Sequence, residues 1–351
     1  MNKISYTEAV NLILHKTMEK NHKSVCIGLG LNDPKRIFGT TKGLLERFGS
    51  DRCIEPPTSE NALTGISFGL ALQEYAVCLT HQRFDFALLS LDQIINTVSK
   101  WSFMYGRKFN TSLLIRLIVG RGWGQGPTHS QSYHSFLNSI PGLDIYYPYS
   151  PSTVMRTINK GMQSGNPSIM IEHRWLHNTL EEVNVKDLLT LEEDSHNIIH
   201  TGDAFTIFTY GYMVPEAIKA AKYLSSYDVK LEVITTFDLT SLPYEQIIKS
   251  LSKTKKLLLI EPFYLESSLI STICTRLLQE LTSKNLDLSC LKILSLPFEN
   301  ESTSYFDTVD RYNTWLDIVE FVGANIDKSV PTPLNNSLYH DIPGDWFKGP
   351  F

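Results

Sequence analysis

No apolar run in this chain approaches the eighteen or so residues that a membrane-crossing helix needs, so a helical span is excluded. Cysteine is scarce: five in 351 residues, odd in number, scattered, and never in a CxxC pair. Cys26, Cys53, Cys78, Cys274 and Cys290 therefore read as reduced, mostly buried thiols in a reducing cytoplasm, not as a disulfide frame or a zinc site. An excess of positive charge is missing too. Lys and Arg number 32 against 37 Asp and Glu, and the net charge of −5 argues against general binding to nucleic-acid phosphates. The amino terminus, MNKISYTEAVNLILHK, has neither the apolar core of a signal peptide nor the Arg-rich character of a transit peptide. Several catalytic signatures are absent as well: no GxGxxG after a strand, no Walker loop, no GxSxG elbow and no HExxH. These absences weigh against a dehydrogenase that binds its own nicotinamide. The expectation is a soluble, cytoplasmic protein with neither a membrane nor a nucleic-acid partner.

What is present points to a folded interior. Hydrophobic residues make up 42% and charged ones 20%, and at about 150 residues per domain the length predicts two domains. Short β-rich runs alternate with longer helical patterns, the βαβ signature of parallel sheets covered on both faces. In the first half the predicted strands are Val25–Leu29, Arg52–Glu55, Ala76–Gln82, Ser112–Val119, Asp144–Tyr147 and Ser168–Glu172. Helices are predicted over Asn61–Gln73, Ser90–Tyr105 and Ser152–Met162. The acidic stretch EEVNVKDLLTLEEDSHN has no sustained period and reads as a solvated linker, over residues 181–200. Alternation then resumes from Ala204 to Ser295, giving a second, smaller α/β domain over 201–330 and an irregular tail over 331–351.

In open parallel sheets, ligands gather beyond the carboxyl ends of strands. Three segments of the first domain fall there. In PPTSENA, Thr58 or Ser59 can cap a helix and Glu60 sits in its first turn, either as an ordinary dipole-pairing acid or as a functional carboxylate. In HQRFDFALLSLDQ, Phe84 and Phe86 would share one face of an extended segment, serving a core or offering a flat surface to a heteroaromatic ring. In GRGWGQGPTHSQSYHSF, alternate glycines allow close backbone approach. Thr128 is then expected to cap a helix with His129 at its start, where imidazole would be neutral; the alternative is a surface hydrogen-bonding histidine.

Taken together, ISYTEAVN, FGTTKGLLERFGSDR, PPTSENALTGISFGLAL, FDFALLSLDQIINTVSK, THSQSYHSFLNSIPGLDIYYPYSP and NPSIMIEHRWL resemble one family. It is the β subunit of the thiamine-diphosphate-dependent decarboxylating component of 2-oxoacid dehydrogenase complexes (pyruvate, branched-chain and acetoin types). The strong likeness covers most of the first 180 residues; TYGYMVPEAIKAA extends it weakly into the second domain. The resemblance implies two doubly wound, mostly parallel α/β domains: a transketolase-like pyrimidine-binding domain over 1–180 and a transketolase C-terminal-type domain. It also implies half an active site. A partner α subunit, in an α₂β₂ assembly, would hold the cofactor diphosphate and Mg²⁺ through a GDG…N motif that this chain lacks.

By the same resemblance Glu60 matches the glutamate that activates the aminopyrimidine of thiamine diphosphate, and Phe86 the ring packed on that pyrimidine. Gln82 matches a nearby polar contact, and His129 the histidine that handles substrate or acyl transfer. A structural K⁺ near the glycine loop, a lipoyl acyltransferase core and a 2-oxoacid substrate complete what the likeness implies. No metal ligand is assigned to this chain itself. Two departures stand out. Relatives carry Gly-Glu-Asp where this chain has Gly28-Leu29-Gly30-Leu31, and a glycine-rich loop where it has IEPFYLESSL. The altered loop leaves room for a carboligase or transketolase-like activity, and a non-catalytic scaffolding paralogue is the alternative outside enzymes. Retention of Glu60, Gln82, Phe86 and His129 argues against the last.

Overall fold

A computed structural model describes residues 2–106, 109–122, 124–184, 196–266, 268–304, 307 and 311–333. They fall into two compact units. One comprises the residues before Gly122 and those from Thr128 through the end of the first β/α series; the other comprises Gly122–Pro127 and the later strands and helices.

The first unit is a six-stranded parallel sheet in the order β3-β2-β4-β5-β7-β6. Its strands are β2 (Ser24–Gly28), β3 (Cys53–Ile54), β4 (Ala76–His81), β5 (Leu113–Val119), β6 (Asp144–Tyr146) and β7 (Ser168–His173). Every residue of β2, β4, β5 and β7 is buried, as a sheet covered on both faces requires, so these strands read as continuous apolar runs. The covering helices are α1 (Tyr6–Lys20), α2 (Leu44–Phe48), α3 (Glu60–Leu72), α4 (Phe84–Ala87), α5 (Trp101–Met104), α6 (His134–Asn138) and α7 (Pro151–Gly161). Helix α1 starts at a capping box between Ser5 and Glu8, and α7 at one between Ser150 and Thr153 with Pro151 in the first turn. Outside the main sheet, β1 (Asn2–Ser5) pairs antiparallel with β8 (Leu180–Val183).

The second unit holds a five-stranded sheet in the order β13-β12-β10-β11-β9, parallel except at its β9 edge. These strands are β9 (His196–His200), β10 (Phe205–Thr209), β11 (Leu231–Thr236), β12 (Lys256–Tyr264) and β13 (Cys290–Leu296). Helices α8 (Met213–Ser225), α9 (Tyr244–Thr254), α10 (Leu269–Ser283) and α11 (Trp315–Ala324) accompany them. Two mostly parallel α/β units are thus what the strand and helix patterns predict.

Three local expectations need correction. The predicted helix Ser90–Tyr105 is interrupted: a 3₁₀ turn at Leu88–Ser90, a π-helical stretch at Gln93–Val98, then the short α5. Phe84 and Phe86 lie in α4, not in an extended segment, so a spacing of two turns them to different sides. The flanks of the expected linker 181–200 are strands β8 and β9, ordered by non-local pairing that no local period reveals. Residues 185–195 of that segment, and the tail beyond 333, lie outside the described residues. All five cysteines are free thiols; Cys53, Cys26 and Cys78 are buried register partners across β3, β2 and β4.

Candidate active site at the carboxyl edge of the first sheet

The buried residues of α3 are Glu60, Leu63, Thr64, Ser67, Phe68 and Ala71, a stripe at helical spacing that faces the protein interior. Glu60 heads this stripe. Ser59 occupies the cap position without a side-chain cap bond, and Glu60 is only 8% exposed. Its carboxylate has no hydrogen-bond or ion-pair partner among the described residues. A carboxylate without a protein partner is open to a ligand that can donate to it. An acid serving only the helix dipole would point to solvent; this one points inward and lacks a mate.

The first turn of α3 meets the end of β4. Thr64 Oγ1 donates to the Glu60 carbonyl at 3.0 Å and lies 3.4 Å from His81 Nε2. His81 is buried, and burial pushes its pKa down to about 4, so the ring is neutral at physiological pH. The next residue, Gln82, donates from Nε2 to the Leu29 carbonyl at 2.8 Å. Gly30 is required here. Its φ is +77°, and a Cβ would lie 2.0 Å from Gln82 Nε2. The carboxylate of Glu55 accepts the Gly30 N–H at 3.1 Å and the Asn32 N–H at 2.5 Å. Glu55, just beyond the end of β3, thus organises this turn.

Four residues after Gln82, Phe86 is half-buried and meets His129 edge to face, ring centroids 5.5 Å apart at 89°. Phe84 is buried and packs against Tyr133 instead. The environment expected of His129 is different in one respect. Helix α6 begins at His134 with Tyr133 at the cap position, so Thr128 caps nothing and no helix dipole acts on His129. The hydroxyl of Thr128 sits 3.0 Å from His129 Nδ1, which orients the ring and leaves Nε2 for other partners. Gln131 donates through its backbone and side chain to Asp85 Oδ1 at 3.3 and 2.7 Å, tying this loop to α4. The structure thus pairs Phe86 with His129 and joins Glu60, His81 and Gln82 around the end of β4.

Beneath this edge lies a buried ion network absent from the sequence expectations. Arg116 on β5 donates to Glu172 Oε2 on β7 from Nε at 2.9 Å and from Nη2 at 2.7 Å; both side chains are fully buried. Its remaining donors reach Thr80 and Thr40. His177 Nε2 lies 2.9 Å from Glu172 Oε1, and Arg174 Nη1 lies 3.0 Å from His177 Nδ1. A neutral His177 with its proton on Nε2 satisfies both contacts, in accord with burial lowering its pKa. Burial opposes ionisation of Glu172, yet Arg116 and the hydrogen bonds from His177 and Arg116 outweigh it and hold the carboxyl at about 2. The signal was available: charged residues inside otherwise apolar strand patterns, LLIRLIV and SIMIEH.

A pyrimidine ring carrying a protonated nitrogen fits this site on one observation: Glu60 offers an unsatisfied, largely buried acceptor. Among the described residues no three His, Cys, Asp or Glu side chains converge to hold a metal ion.

Both units have counterparts among known proteins. Residues 2–178 match the pyrimidine binding domain of transketolase and residues 194–306 match the transketolase C-terminal domain. The pyruvate dehydrogenase E1 component subunit beta of Rhizobium meliloti is 28% identical over 273 residues, 78% of this chain and 59% of the relative. The 2-oxoisovalerate dehydrogenase subunit beta of Bacillus subtilis is 27% identical over 273 residues, 78% of this chain and 84% of the relative. A split-gene transketolase solved as an inactive β4 tetramer shares the fold, with a TM-score of 0.71 at 16% identity over 92% of this chain and 97% of that one. The chain belongs to the transketolase-like family that includes the E1-component β subunits of the 2-oxoacid dehydrogenases.

Proposed function

We propose that this chain is the β subunit of a two-component thiamine-diphosphate enzyme that decarboxylates a 2-oxoacid and passes the acyl group to a lipoyl or other acceptor. The observation that carries the reading is Glu60, an inward-facing carboxylate without a protein partner at the carboxyl edge of a parallel sheet. Residues 1–180 are assigned as the pyrimidine-binding domain and 201–330 as the C-terminal-type domain.

When bound, thiamine diphosphate supplies a thiazolium carbon nucleophile and an electron sink for the carbonyl carbon. Glu60 accepts the proton-bearing ring nitrogen of the pyrimidine and stabilises its positive charge. Phe86 offers a flat apolar surface to that ring. Gln82, held by Leu29, fixes the turn at Gly30 and bounds the same pocket. His129, oriented through Nδ1 by Thr128, can give or take a proton at Nε2 on the substrate or acyl acceptor. The diphosphate and its Mg²⁺ belong to an α subunit in an α₂β₂ assembly. A structural potassium ion, a lipoyl acyltransferase core and a cytoplasmic location form part of the same proposal. Among the described residues no helix is long and apolar enough to cross a membrane.

The test is Glu60→Gln in the complex co-expressed with its partner. Gln keeps the size but loses the charge, so thiamine-diphosphate binding should weaken and turnover fall about 100-fold or more. Wild-type turnover in that variant removes Glu60 from the role.

A further inference from the structure

The segment that follows β2 has an unusual backbone. Three consecutive non-glycine residues, Arg36, Ile37 and Phe38, have φ of +49°, +47° and +59°, and Gly39 continues the run at +86°. An L-residue enters this left-handed region against crowding between its Cβ and the following carbonyl oxygen, and does so as a single residue far more readily than in a row. Such a run persists only where the surroundings over-determine it. Here they do. The Arg36 N–H donates to Asp33 Oδ1 at 2.7 Å, Thr41 Oγ1 donates to the Arg36 carbonyl at 2.8 Å, and Thr40 Oγ1 donates to the Ile37 carbonyl at 2.8 Å. The result is a chain that turns back on itself and brings the Ile37 N–H to the Gly30 carbonyl, at 3.1 Å.

The turn from Leu29 to Asn32 is therefore held from three sides, by the segments that follow β2, β3 and β4. Ile37 donates to the Gly30 carbonyl, Glu55 accepts the Gly30 and Asn32 N–H groups, and Gln82 Nε2 donates to the Leu29 carbonyl. The last contact decides which way the Gln82 amide lies. A carbonyl can only accept, so the amide cannot flip without losing its 2.8 Å bond to Leu29. The opposite end of that amide, Oε1, has no hydrogen-bond partner among the described residues, and neither has the Glu60 carboxylate. Two uncommitted acceptors thus stand near the end of β4.

Glu55 itself is exposed, where a carboxylate ordinarily contributes little to global stability. Its two oxygens are nevertheless both committed to backbone N–H groups of one turn, and such charge-assisted bonds are the stronger kind. The function of this clamp lies in what the turn carries. We propose that Glu55 is a positioning residue for the cofactor pocket: by fixing the Gly30 and Asn32 amides it sets the Leu29 carbonyl, which orients Gln82 so that Oε1 serves as a second acceptor beside Glu60. This rests on the reading of the site as a thiamine-diphosphate pocket. An aminopyrimidine presents two kinds of donor, a protonated ring nitrogen and an exocyclic amine, and two acceptors match them.

The complex with its partner subunit should be titrated calorimetrically with thiamine diphosphate as wild type, Glu55→Ala, Gln82→Ala and the double variant. Each single change should raise Kd about tenfold, as loss of one hydrogen bond does. The double variant should bind no more weakly than Gln82→Ala alone, because Glu55 acts through Gln82; a purely structural role would give additive losses. Glu55→Gln puts an amide where two N–H groups need acceptors, and should behave as Glu55→Ala does if the latter does not fold. Wild-type affinity in either single variant, or additive losses in the double one, overturns the proposal. Amide hydrogen exchange needs no cofactor: Glu55→Ala should speed exchange at Gly30 and Asn32 about tenfold or more while β4 stays protected. Should the wild-type complex bind no thiamine diphosphate, the parent reading falls and exchange decides the clamp. Faster exchange at those two amides supports it, and unchanged protection overturns it.

Discussion

Replacing Glu172 by Gln tests the ion network that ties β5 to β7. Glu172 is fully buried, takes two hydrogen bonds from Arg116 and lies 2.9 Å from His177 Nε2. Gln keeps the volume and one acceptor oxygen but turns an amide donor toward groups that already donate. Arg116, also fully buried, would lose its counter-charge. Breaking a buried pair from one side costs about 3–5 kcal/mol. An independent route gives a similar figure. The carboxyl titrates at about 2 against an ordinary 4.5, a difference of roughly 2.5 units and ~3 kcal/mol of stability at neutral pH. Because the folded value is the depressed one, that contribution is complete above pH 4.5 and is lost as pH falls toward 2. In a unit of this size 3–5 kcal/mol corresponds to a melting-temperature drop of roughly 6–20 °C. Calorimetry or circular dichroism at pH 7.5 measures it directly. Replacing Arg116 and Glu172 together by methionine removes both charges and should recover much of the loss. A Glu172→Gln protein that melts within about 2 °C of wild type would refute the account of the pair as a coupled, desolvated unit.

Two further outcomes follow from the site. His129→Ala should leave thiamine-diphosphate binding intact while slowing turnover at least about tenfold, read from steady-state CO₂ release beside cofactor titration; unchanged turnover removes the ring from the chemistry. His81 takes up its proton near pH 4 when folded and near 6.5 when unfolded, so the unfolded chain binds the extra proton in that window and stability declines as pH falls through it. The loss from this residue is ~2 kcal/mol by pH 5, and chemical denaturation from pH 7.5 to 5 should show a shallower slope in His81→Leu.

The parts of the fold legible from sequence are those where burial writes the pattern. Parallel strands covered on both faces appear as unbroken runs such as AVCLTH and LLIRLIV, so the six parallel strands of the first unit lie within a residue or two of expectation. What local pattern does not encode is the partner of a segment. Leu180–Val183 looks like an acidic linker because its order comes from β1, far away in sequence. Helix α1 lies outside the sequence expectations, although Ser5 and Glu8 form its capping box and its buried residues recur at helical spacing. Among the site residues, Glu60, Gln82, Phe86 and His129 were identified through family likeness. Residue types alone left each with an ordinary alternative, and only the inward stripe on α3 separates Glu60 from a surface cap. Thr128, before a polar stretch, resembles a cap, but the helix starts several residues later.

The pairing of β1 with β8 has a consequence for biosynthesis. Asn2–Ser5 is synthesised well before its hydrogen-bonding mate at Leu180–Val183, which emerges only after nearly the whole of the first unit has been made. At about 5–20 residues per second the leading segment waits on the order of ten seconds or longer with its backbone donors and acceptors open to water or to chaperones. Closure of this ribbon is thus a late event in the maturation of the nascent unit, and a ribosome stalled before Leu180 is made would leave Asn2–Ser5 accessible to proteases.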